Sequence, residues 1–341
     1  MSDYRLIDNR STIIVFADHF MTMKRISITL LLICAMAVSF AQKDTLMNGT
    51  PVKIMDKTWA DRGFDFYIAG GMLFGSPFNA NYYNGSKYNE NSLDFVFSNQ
   101  YWYEEWQRTV SEYYSHISIN DNIYVNDPED FDWNLHYKLS MMVSLGARYK
   151  LGNGWAVALS YSFSRMTTST HVLLSSNTVI GNMYAQPVVA MVGKEYRSMI
   201  DLSASYLFSQ VHKVVKPFVE LGLQFNYAKA KSFDAVLLDK ENHVVGNTYS
   251  LLNIYDNQGY YPGAQTYDYI FGGPGFGFSG AAGLKIVCGK YVSIDPTFYC
   301  YMGRLGIYQA KPASGHGDNR FTFNYGAQIR VVMSDFFFTN K

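Results

Sequence analysis

The sequence predicts an all-β fold: an antiparallel transmembrane β-barrel of eight strands, or ten, preceded by an N-terminal signal peptide. Three observations carry this. Eight runs alternate apolar residues with small or polar ones. The links between the runs alternate short and long. Beyond the leader, no uncharged stretch reaches the ~20 apolar residues of a helical span. The clearest run is Pro217 to Tyr227, where Val219, Leu221, Leu223, Phe225 and Tyr227 share one face and Glu220, Gly222, Gln224 and Asn226 the other. A strand repeats its side-chain direction every two residues, so this segment is apolar on one face and polar on the other. In a soluble sandwich the apolar face meets a second sheet; in a membrane barrel it meets lipid.

Residues 23–41 read as a secretory signal peptide. Lys24 and Arg25 form its charged start, Ile26 to Phe40 its apolar stretch, and Ser39 and Ala41 the small residues before a cut that leaves Gln42 first. Residues 1–22 have no place in such a leader and read as an over-extended start, with Met21 or Met23 as the true first residue. Cys34 lies inside the leader after Ile33, which is too large for a lipoprotein signal. The mature chain keeps Cys288 and Cys300, too far apart along a predicted hairpin for a disulfide, so the fold is not a disulfide scaffold.

Residues 42–62 are a periplasmic N-terminal segment, residues 63–334 the barrel with its loops, and residues 335–341 a tail. The first run, Gly63 to Phe74, turns Phe64, Phe66, Ile68, Met72 and Phe74 outward, and Asp65, Tyr67 and Ala69 inward. Leu139 to Lys150 follows, with Met141, Val143, Leu145 and Tyr149 outward. Gly152-Asn153-Gly154 then makes a hairpin turn. Trp155 to Phe163, Met199 to Phe208 and Pro217 to Tyr227 are runs three to five. Phe276 to Cys288 places Leu284 and Ile286 outward, and Gly289-Lys290 turns the chain into Tyr291 to Tyr301. Phe321 to Val332 is the last run. Short turns at one end and long loops at the other are the layout of a bacterial outer-membrane barrel, with short turns and both termini periplasmic. Tyr149, Trp155 and Tyr291 beside the short turns suit an aromatic girdle.

Composition agrees. Lys plus Arg and Asp plus Glu are 28 each, so no basic surplus points to nucleic acid. Aromatics reach 17%, with 28 tyrosines, which suits a girdled barrel better than a soluble enzyme. The last run contains Asn324, Gly326, Ile329 and Val331 in the order polar, x, Gly, x, x, apolar, x, apolar. On this motif and the strand layout, the region from Gly63 to Val332 resembles the small eight-stranded outer-membrane barrels of the OmpA/OmpX-like superfamily, a porin-like family. The resemblance implies that these four residues are a signal read by the barrel-assembly machinery. It also implies outer-membrane lipid and lipopolysaccharide as surroundings. Such chains stop on an aromatic, whereas this one runs on through Phe336, Phe337 and Phe338 to Lys341.

The inward faces collect Asp65, Asp201, Glu220 and Asp295 against Arg148, Lys285 and Arg330. Isolated charges in a narrow lumen are costly, so seven of mixed sign predict an ion-pair network. An eight-stranded barrel is only wide enough for its side chains, which makes the interior a plug. The function expected is therefore structural or surface-interacting, without catalysis or cofactor. A small channel is the alternative, and it needs a wider barrel. A second alternative is a lipid-modifying enzyme using rim residues His136 and His171, with Ser175 and Ser176 near the latter. Gly275 to Gly280 matches G-x-G-x-x-G, but inside an alternating strand with no helix following it is not a dinucleotide loop.

The link from Gly75 to Leu135 holds ten acidic residues against Lys87 and Arg108. Asp127, Glu129 and Asp130 are a weak candidate metal site without the spacing of an EF-hand. Tyr101, Trp102, Tyr103, Trp106 and Trp133 suggest a recognition surface for an extracellular sugar, cation or protein. Short runs at Leu93 to Phe97 and Ile117 to Val125 read as a hairpin within this link, or alternatively as two further strands that extend the barrel to ten.

Overall fold

The computed structural model describes residues 63–86, 92–125, 134–176, 186–208, 214–253, 272–289, 291–306 and 321–334. The leader, the Asp127, Glu129 and Asp130 group, Trp133 and the C-terminal tail lie outside them. Eight antiparallel strands close a ring: β1 (Gly63–Phe74), β3 (Ser140–Gly152), β4 (Trp155–Leu173), β6 (Val188–Leu207), β7 (Val215–Leu238), β9 (Gly272–Val287), β10 (Val292–Gly303) and β11 (Thr322–Ser334). Each pairs with its neighbours in the chain, and β11 returns to β1 with Ala69 opposite Arg330. No strand edge of the ring is left open. The sequence runs thus correspond to the strands, and the count is eight. No described helix is long and apolar enough to cross a membrane, which leaves crossing by strands open.

Side-chain parity follows the pleat. Val219, Leu221, Leu223, Phe225 and Tyr227 are exposed on β7, while Glu220, Gln224 and Asn226 are buried. The same alternation around the ring makes an apolar outer belt, including Phe66, Ile68, Val143, Leu159, Ile200, Phe278, Phe298 and Val331. Ile286 keeps outward parity yet is only 3% exposed, unlike Leu284. At the short-turn end aromatic rings pair around the rim: Trp155 with Tyr206 at 5.0 Å and Phe64 with Tyr149 at 4.7 Å between centroids. The β3–β4 hairpin closes through Gly152, Asn153 and Gly154, with φ of 100°, 53° and 84°. Glycine and asparagine accept this left-handed region at least cost, which fixes the turn.

Three strands outrun the sequence expectation. β4, β6 and β7 have 19, 20 and 24 residues, whereas ~9–11 suffice to cross a bilayer. Their extra length lies at the long-loop end and forms a curved wall, continued by β8 (Val244–Ser250) beside β7. The wall's inner face is apolar: Val172, Val189, Met191, Phe233, Ala235 and Leu237 are buried there.

Against it packs the segment between β1 and β3, which forms helices and not a barrel hairpin. α1 is Pro77–Ala80, α2 Asp94–Ser98 and α3 Gln100–Tyr113. The ten-strand alternative therefore falls. β2 (Ile123–Tyr124) pairs with β5 (Ser175–Ser176) in a separate small sheet. The physical reason for α3 is a 3.6-residue period: Trp102, Trp106 and Val110, spaced by four, all face the wall. The Asn99 side chain caps the helix by accepting from the Trp102 N–H at 3.2 Å.

Candidate functional site

The lumen and the cap above it are the two places where the fold gathers chemistry. In the half of the lumen nearer the short turns, Glu220 on β7 lies between two guanidinium groups. Arg148 on β3 donates to it at 2.9 Å and Arg330 on β11 at 2.7 Å. Tyr67 and Phe218 present their rings to both cations, with Arg330 5.1 Å and Arg148 5.7 Å from the Tyr67 centroid. Arg148 also lies 3.7 Å from Asp295, and Asp65 is 3.2 Å from Lys150 and 4.0 Å from Lys285. Six of the seven residues expected to form an ion-pair network are thus joined in two linked groups. Asp201 is not among them. It accepts a hydrogen bond from Gln224 at 3.1 Å, and the Tyr299 hydroxyl is 3.3 Å away. Sequence reasoning missed Lys150 and Lys216, both buried. Their inward parity, shared with Arg148 and Glu220, was the available signal.

A second cluster sits higher and was not anticipated. Arg197 on β6 pairs with Glu195 two residues away on the same inner face. The guanidinium donates to the Tyr301 hydroxyl at 3.0 Å and the Asn324 side-chain oxygen at 2.9 Å. Tyr83 and Tyr137 donate to Glu195 at 3.2 and 2.8 Å. Tyr83 belongs to the segment following β1, so this cluster ties the cap to the barrel mouth. The Ser76 N–H reinforces the tie by donating to Asn324 at 3.0 Å. Between the clusters a cavity of about 20 Å³ remains, lined by Tyr67, Ser144, Asp201, Glu220, Tyr299 and Arg330 among others. That is room for about one water molecule.

The aromatic residues expected to form a recognition surface divide. Trp102 and Trp106 are 2% and 1% exposed and belong to the cap's core, which corrects the expectation. Burying two indoles between helix and wall is worth more than leaving them in water. Tyr103 is partly buried, its hydroxyl accepting from the Ile123 N–H at 3.0 Å. Tyr101 is 58% exposed and faces solvent. On the cap's other flank, Glu105 accepts from Tyr249 at 2.6 Å and from Asn247, joining α3 to β8. Burial and the neighbouring Glu105 carboxylate push the Tyr249 hydroxyl well above its ordinary pKa.

The remaining candidates are dispersed. His136 and His171 are exposed; Ser176 is buried beneath the cap. In the last strand Asn324 points inward to Arg197, while Ile329 and Val331 point outward. Gly326 lies against the Met72 carbonyl, where a Cβ would come within 2.2 Å. Gly275 and Gly277 of the G-x-G-x-x-G stretch lie within β9, tight against the Arg304 and Met302 carbonyls, a packing role. Among the described residues no group of three or more metal-ligating side chains occurs.

A closed ring with an apolar outside, a charged and filled inside and a protein cap defines the class: a small antiparallel transmembrane β-barrel. No protein-family profile and no curated protein sequence matches the chain. Solved structures that resemble it are outer-membrane barrels. The N-terminal β-barrel domain of Pseudomonas aeruginosa OprF has 10% identity and a TM-score of 0.32, over 80% of this chain and 98% of that one. P. aeruginosa OprG has 10% identity and 0.34, over 82% and 99%. Neisserial surface protein A has 9% identity and 0.33, over 79% and 96%. At such identities a likeness concerns fold alone.

Proposed function

We propose that this protein is a bacterial outer-membrane barrel that serves as a rigid, non-conducting and non-enzymatic anchor for an extracellular cap. The observation that carries the reading is the filled lumen. Its charges pair across the barrel, the cavity between its two charged clusters is about 20 Å³, and its mouth is closed by the segment carrying Tyr83. The apolar belt supports a membrane location. The long loops at the capped end support an extracellular orientation, with the short turns periplasmic. Folding by the assembly machinery would follow from Asn324, Gly326, Ile329 and Val331 on the closing strand.

The cap's outer surface is the working face in this reading. Tyr101 and Tyr113 are exposed on α3 together with Glu104 and Glu112, and Tyr124 is exposed on β2, which suits a sugar, a cation or a basic protein surface. Planar-bilayer recording tests the anchor reading. The purified protein is expected to insert without conductance, and steady, large single-channel currents would reject a plugged lumen.

A further inference from the structure

The apolar belt ends abruptly on one side of the barrel, and it ends in cations. On β4 the outward series Val157, Leu159, Tyr161, Phe163 gives way to Arg165. On β7 the series from Val219 to Tyr227 gives way to Lys229. The register places these at one height: Arg165 faces Tyr196 on β6, and Tyr196 faces Lys229. The Arg165 guanidinium lies 6.0 Å from the centroid of the Tyr196 ring, one step above Phe163. Lys194, the next outward residue on β6, stands immediately above.

A second observation concerns the backbone. The β6–β7 ladder slips between Lys194 and Glu195, leaving Lys231 as an extra residue on β7. A bulge re-aims side chains locally. Here it adds the exposed Lys231 to the row. Lys138, exposed, joins at the flank, its N–H bonded to the Thr167 carbonyl. Among the described residues on the outer faces of β4, β6 and β7 at this level, Asp234 is the only acid. It lies within the field of Lys194.

We propose that Arg165, Lys194, Lys229 and Lys231 form a docking row for the phosphates of a phosphorylated glycolipid in the outer leaflet. The proposal rests on the outer-membrane reading above and deepens it. A lipid whose acyl chains lie along Phe163, Tyr227 and Ile200 has its headgroup at the height of these cations. Its phosphates supply the complementary charge, at the depth where the belt stops. Tyr196 and Phe163, 5.6 Å apart between ring centroids, supply the interfacial aromatics at that depth. The row occupies one wall, so a lipid would be held on one side of the barrel and not around it.

The test uses the full-length protein in nanodiscs carrying either bisphosphorylated or dephosphorylated lipid A. The variant R165Q/K194Q/K229Q/K231Q is compared with wild type, and K240Q, a lysine in the turn between β7 and β8, serves as control. Native mass spectrometry reads the lipid A retained through delipidation. Retention of the bisphosphorylated form is expected to fall about fivefold for each cation removed, while K240Q matches wild type. Dephosphorylated lipid A is expected to be lost from all three. Equal retention of both lipids, or equal retention by the quadruple variant, overturns the row. Flotation with phosphatidylcholine liposomes separates the two readings. A wild-type protein that fails to float overturns the membrane reading and this proposal together. One that floats but does not discriminate between the lipids overturns the row alone.

Discussion

Glu220 receives two guanidinium groups in a space closed to bulk water, and that asymmetry sets the cost of removing it. The Glu220→Gln change leaves Arg148 and Arg330 facing each other over the Tyr67 ring with one anion fewer between them. Breaking a buried pair from one side typically costs about 3–5 kcal/mol. The variant is therefore expected to lose its heat-modifiable, folded form at clearly lower urea concentration than wild type. An unchanged urea midpoint would mean that these cations are solvated in the lumen. A contrasting residue is Asp239, at the tip of the β7–β8 hairpin. The backbone N–H of His243, and then that of Glu241, each 2.8 Å away, hold its carboxyl below the usual carboxylate range. A depressed carboxyl stabilises the turn above its unfolded-state value and ceases to do so as pH falls through its folded value. Hydrogen-exchange protection at Glu241 and His243 should therefore be present near neutrality, persist through the usual carboxylate range and be lost only as the pH falls below it. Asp239→Asn should flatten that dependence.

Among the elements, α3 binds the cap together. Its buried face sets Trp106 against Phe97 at 5.7 Å and Tyr249 at 5.4 Å between centroids. Trp106→Ala removes this contact at a cost of about 3–5 kcal/mol. The cost falls on the cap, because the ring of strands closes without it. Limited proteolysis should then cut between Gly75 and Leu139 much faster than in wild type, while heat-modifiable mobility of the barrel persists. If both properties were lost together, the cap and barrel would be one cooperative unit. Deleting residues 84–130 is a harsher change than a loop deletion, because it uncovers Val189, Phe233 and Leu237 on the wall. Aggregation of that variant through the uncovered face is the expected outcome, checked by light scattering in detergent.

At the scale of the molecule, a closed ring with an apolar outside needs an apolar solvent. The protein should fold, with β-type circular dichroism and heat-modifiable gel mobility, only when micelles or lipid are present. A folded, monomeric and detergent-free form would reject the membrane reading. Strand number, strand order and facing were legible in the sequence because all follow from a two-residue period and from turn chemistry at sites such as Gly152 to Gly154. Each inward charge was legible singly for the same reason. Their partners were not: Arg148 and Glu220 meet across the lumen, a distance in space that no local pattern encodes. Short apolar runs such as Leu93 to Phe97 fit either period, so the sequence alone does not separate a hairpin from helices there. The four-residue spacing of Trp102, Trp106 and Val110 was the stronger signal. The sequence by itself therefore determined a barrel of alternating strands with a charged interior. Only the tertiary structure decided that β4, β6 and β7 rise beyond the belt as an apolar wall. Once that wall exists, the aromatic residues of the segment after β1 gain more by packing against it than by facing water, and so they cap the barrel.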